Sequence, residues 1–81
     1  MEITPAALRV IERISQDSPF KVSVHGSMIL GYHLDLIANS EPLPNDVTIC
    51  TDPWVIADLP AITYLMNRTL DCTNDEFVIN L

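Results

Sequence analysis

The sequence predicts an α/β protein, a single small domain over 1–81 in α-β-α-β-α-β order, with a three-stranded parallel or mixed sheet and packed helices. Three observations predict it. With 81 residues and a hydrophobic fraction of 48%, the chain has room for one core near the lower size limit of independent stability. Apolar residues at helical spacing alternate along the chain with short β-branched runs. Loops rich in proline, asparagine and aspartate separate them, and such alternation implies helices laid on a sheet by right-handed crossovers.

Thr4-Pro5 sets a cap before a proline at the first helical position, and Ala7, Leu8, Ile11 and Ile14 come next at helical spacing, so helix one is expected over 5–16. Arg9, Glu12, Arg13 and Gln16 form its polar face, and Gln16-Asp17-Ser18-Pro19 ends it. Phe20 to Val24 alternates and carries Val22 and Val24, which predicts strand one. Met28, Ile29, Leu30, Leu34, Leu36 and Ile37 make an apolar helix two over 27–39, and the loop to Asn45 contains Pro42 and Pro44. Asp46 to Thr51 is strand two. Asp52-Pro53 repeats the cap-plus-proline device before Trp54, and Pro60 splits the next segment into a turn at 53–58 and a helix at 60–69 with Ile62, Leu65, Met66 and Leu70 buried. Asp71 to Asp75 reads as a loop, and 77–81 as strand three.

Eleven acids against four bases give a formal charge of −7. Residues 1–40 carry Glu2, Glu12, Asp17 and Asp35 against Arg9, Arg13 and Lys21, whereas 41–81 carry seven acids against Arg68 alone. This field disfavours direct nucleic-acid or membrane binding and favours a basic partner. No stretch has the form of a signal peptide or a membrane span, so a cytoplasmic location is expected. Cys50 and Cys72 are expected to be reduced thiols, and Asn67-Arg68-Thr69 is a sequon without a secretion signal to use it. His25 and His33, taken with Asp35 or Cys50, show no familiar ligand spacing, so neither a metal nor any other cofactor is expected.

Gly26-Ser27 ends strand one and opens helix two, and Asp46 heads the next strand. Across roughly residues 6–52 this pattern resembles the core of the nucleotidyltransferase superfamily, in its antitoxin-associated and aminoglycoside-type branches. The resemblance implies that Gly26 lets the backbone approach a triphosphate, Ser27 and the first helical amides bind its oxygens, and Asp46 is the first metal carboxylate. The second carboxylate belongs two positions on, where this chain has Thr48, and Lys21 and Arg68 are badly placed to balance a triphosphate. Read without the resemblance, Ser27 is a helix N-cap, Gly26 a tight turn, and Asp46 the end of a loop. No catalytic residue is assigned and the chain is not expected to be an enzyme.

Two functions are expected. The first is a non-catalytic acidic protein-binding module presenting Glu41, Asp46, Asp52, Trp54 and Asp58 to a basic, nucleic-acid-binding host protein. Its size and acidity resemble small phage-encoded inhibitors, including the anti-CRISPR class. The second is a degenerate nucleotidyltransferase-like domain, an antitoxin or regulatory subunit, binding nucleotide through Gly26, Ser27 and Asp46. Helix two, apolar on more than one face, adds the expectation of a homodimer through that helix.

Overall fold

The computed structural model describes residues 1–27 and 29–80. Along the chain come β1 (Glu2–Ile3), α1 (Pro5–Ile14), β2 (Phe20–Ser27), β3 (Gly31–Ile37), β4 (Val47–Thr51), β5 (Trp54–Ala57), α2 (Leu59–Tyr64), β6 (Thr69–Thr73) and β7 (Glu76–Asn80). The strands make two sheets, ordered β1-β6-β7 and β3-β2-β5-β4. β2–β3, β4–β5 and β6–β7 pair antiparallel, while β1–β6 and β2–β5 are parallel.

α1 forms where local chemistry favours it. The Thr4 hydroxyl accepts a hydrogen bond from Ala7 N at 3.2 Å, Pro5 occupies the first turn, and Ala7 and Ile11, one turn apart, are fully buried. The same Thr4 hydroxyl donates to Asp71 of β6 at 2.6 Å, tying the helix start to the first sheet. At its far end Ser15 donates to Ser18 O and accepts from Asn39 N, which holds the turn after β3 against the end of α1.

The core lies between the helices and the sheets. Ala7 and Ile11 of α1 meet Phe20, Val22 and Val24 of β2, Val55 and Ala57 of β5, Ala61 of α2, Leu65 and Leu70. Phe20 also packs on Phe77 of β7, with ring centroids 5.5 Å apart, so the two sheets share this core. The other face of the larger sheet buries Lys21, Ser23 and Ile56, so β2 is covered on both sides.

The predicted α/β architecture gives way to a mostly β fold with two sheets. Helix one stands as α1, strand one extends to Ser27, strand two is β4, and strand three is β7. Helix two does not form: the chain turns after Ser27 and returns as β3, in register with β2 from Lys21↔Ile37 to Ser27↔Gly31. The reason is backbone geometry at two glycines, with φ of +125° at Gly26 and +84° at Gly31, which end any helix and suit a hairpin. The homodimer expected through helix two therefore has no helix to act through. Asp52-Pro53 caps nothing and turns β4 into β5; the cap is Asp58, whose carboxylate accepts from Ala61 N at 2.9 Å with Pro60 in the first turn of α2. The loop expected at 71–75 is a hairpin, with Asn74 and Asp75 both at positive φ between β6 and β7. Met28 and Leu81, which the sequence pattern assigns to helix two and strand three, lie outside the described residues.

Candidate functional site

The β2–β3 hairpin leans over α2 and leaves a groove of about 780 Å³ between them. Val24, His25 and Tyr32 line the hairpin side, and Leu59, Pro60 and Tyr64 line the helix side. Tyr32 and Tyr64 pack with ring centroids 5.4 Å apart, and the Arg68 guanidinium lies 4.5 Å from the centre of the Tyr64 ring. On the outer rim His25 Nε2 meets Asp35 Oδ2 at 2.7 Å, an ion pair when His25 is protonated. The turn beyond carries Ile29 and Leu30, 93% and 84% exposed, and Leu59 on the helix side is also exposed. Apolar and aromatic side chains thus meet water along this groove.

The residues expected to form a nucleotide site are not brought together. Gly26 and Ser27 sit at one end of β2, and Ser27 Oγ accepts from Leu30 N at 3.1 Å, capping the hairpin turn and no helix. Asp46 packs at the other end of β2, 3.1 Å from Lys21 Nζ. Ser27 lies six steps along the strand from Lys21, a span of about 20 Å. Asp46 also accepts from Leu43 N at 2.8 Å; that bond and Lys21 hold its carboxyl below the ordinary aspartate value despite its burial.

The five residues expected to face a partner divide. Asp46 and Asp58 are committed inside the fold, Asp58 accepting from both Ala61 N and the Ser23 hydroxyl. Glu41, Asp52 and Trp54 are exposed, with the Trp54 indole donating to Thr48 Oγ1 at 3.2 Å. Sequence reasoning missed the groove because it placed Tyr32 and His33 on a helix. The period-two pattern of Tyr32, Leu34 and Leu36 against His33 and Asp35, opened by Gly31, is the signal for the strand.

Cys50 lies in β4 beside Ile3, Leu8 and Ile49, whereas Cys72 lies in β6 beside Arg9 and Arg13. Both are free and half-buried. Among the described residues no group of three histidine, cysteine or carboxylate side chains is placed to hold a metal ion, including His25, His33 and Asp35 on the hairpin.

Two sheets sharing one core with two helices define a small β-rich fold. A solved structure with this fold is the crystal structure of Escherichia coli SufA, a protein involved in biosynthesis of iron-sulfur clusters. That structure matches 98% of this chain and 75% of its own at a TM-score of 0.73, with 20% sequence identity. No family model and no curated protein matches the sequence. The SufA fold overturns the nucleotidyltransferase resemblance. It equally replaces the phage-inhibitor reading with its basic nucleic-acid-binding partner, since charge and size alone carried that reading. No helix among the described residues is long and apolar enough to cross a membrane.

Proposed function

We propose that this chain is a non-catalytic binding protein of iron-sulfur cluster biosynthesis, which engages other assembly proteins through the groove between the β2–β3 hairpin and α2. The observation that carries the proposal is the likeness of fold to SufA over 98% of the chain. The groove supports it by offering an aromatic pair and exposed aliphatic side chains, the composition found at the centres of protein interfaces.

The cluster itself, as cargo, does not fit a single chain. Iron-sulfur clusters are held by cysteine thiolates, four in the common types, and the sequence has two cysteines, which lie on different sheets. The proposed part of a single chain is therefore contact with the proteins that build or receive a cluster.

Two measurements test this. Anaerobic incubation with ferrous iron and sulfide, followed by desalting and iron and sulfide assay, is expected to leave the protein without stoichiometric cluster; about one cluster per chain would overturn the contact role. Adding the protein to a cluster-transfer assay between a loaded scaffold and an apo-ferredoxin is expected to change the transfer rate. An unchanged rate, with no binding to either partner, would remove the assignment to this process.

A further inference from the structure

The larger sheet has two edges, and they differ. At one edge β4 is interrupted by a register shift between Thr48 and Cys50. The other edge is β3, whose seven residues pair with β2 without a shift and which contains no proline. Bulges, prolines and charged side chains, lysine above all, keep an edge from pairing with another chain; β3 has no bulge, proline or lysine, and its one acidic residue, Asp35, meets His25 of β2 at 2.7 Å. In the smaller sheet β1 has two residues and β7 five, so β3 is also the longest edge among the described residues. Every residue of β3 except Leu34 and Leu36 is exposed.

We infer that β3 pairs antiparallel with β3 of a second copy of this chain, about a two-fold axis at Leu34, joining two four-stranded sheets into one of eight strands. The choice of occupant comes from the strand's own sequence. Outward-pointing backbone groups recur at every second residue, so in a two-fold pairing opposed residues differ by an even number. Centred on Leu34, which is the midpoint of Gly31–Ile37, all seven residues find partners. His33 then opposes the partner's Asp35, and Asp35, which also meets His25 of its own chain at 2.7 Å, opposes the partner's His33, giving two opposite-charge pairs when His33 is protonated. The exposed Ile37 covers the partner's Gly31, Tyr32 meets the partner's Leu36, and Leu34 meets its own copy. Moving the centre to His33 opposes two histidines, and moving it to Asp35 opposes two carboxylates. Only the Leu34 register sets unlike charges against each other.

The test is charge exchange read by sedimentation equilibrium at pH 6. The wild-type protein is expected at twice the monomer mass. His33→Asp and Asp35→Lys each turn both charge pairs repulsive or neutral, so each variant alone is expected to associate about tenfold or more weakly. An equimolar mixture of the two restores both attractions, because Asp at 33 then faces Lys at 35 and Asp35 faces His33. Recovery of the dimer in the mixture supports this register and shows that both variants are folded. A monomeric wild type, single variants that dimerise as well as wild type, or a mixture no more associated than its components would each overturn it.

Discussion

Lys21 and Asp46, 25 residues apart, meet 3.1 Å from each other with their side chains only 10% and 4% exposed. The pair fastens the long loop before β4 across the start of β2, and Leu43 N–H completes the carboxylate's coordination. Breaking one side of such a pair leaves the other charge buried without compensation. Asp46→Ala is expected to lower the unfolding free energy by about 3 kcal/mol, and the double replacement Lys21→Met, Asp46→Leu by much less. Denaturant unfolding of the single and the double variant checks this. Equal losses for Asp46→Ala and the double variant would show that the pair acts only through side-chain volume.

The same bonds set the acid response. Leu43 N–H and Lys21 lower the pKa of Asp46, and Thr4, Cys72 N–H and Asn80 lower that of Asp71, from an ordinary value of 3.8. A carboxyl with a lowered folded-state pKa binds its proton more readily when unfolded. Its contribution is therefore complete above the unfolded value and disappears as pH falls through the folded one. Melting temperature is expected to hold from pH 7 to about 5 and to fall below about 4. In Asp71→Asn that fall becomes shallower, which differential scanning calorimetry against pH would detect.

Gly26 and Gly31 both have positive φ, yet they differ in surroundings. A Cβ at Gly26 would stand 2.1 Å from Gly31 O, while one at Gly31 meets nothing within 4 Å. Gly31→Ala is expected to cost about 1 kcal/mol in backbone strain alone. Gly26→Ala adds a collision with main chain and should cost clearly more, with loss of the β2–β3 pairing around Tyr32. Thermal unfolding ranks the two variants; the reverse order would mean that the hairpin end is not built as described.

Leu59 opens α2 on the wall of the groove and is 60% exposed, so its replacement should leave folding within about 0.5 kcal/mol of wild type. Under the proposed function, Leu59→Asp is expected to weaken binding of an iron-sulfur assembly protein by tenfold or more, as loss of a central apolar contact does. Titration calorimetry beside a melting curve separates the two effects. Unchanged affinity would place the contact surface elsewhere.

Some of this architecture is legible in the residues because it depends on near neighbours. Thr4, Pro5 and the Ala7–Ile11 spacing make α1 within a single turn of chain, and Val47 to Thr51 and Phe77 to Asn80 read as strands from side-chain alternation. The acidic balance of the second half is likewise a property of composition. Sequence reasoning failed where two local structures compete equally. Asp52 and Asp58 each stand one or two residues before a proline, but only Asp58 finds Ala61 N and the Ser23 hydroxyl, 35 residues away, and so becomes a cap.

The choice of structure over 27–37 lay beyond local reach in the same way. An apolar run satisfies a buried helix or a strand equally, and β3 is chosen because β2 supplies seven consecutive partners and Gly26 permits the close return of Gly31. Residue order and composition were enough for the first helix and several of the strands. The division into two sheets, the groove under the hairpin and the burial of Asp46 came only with the folded chain, because each depends on backbone partners and ion pairs that distant segments bring together.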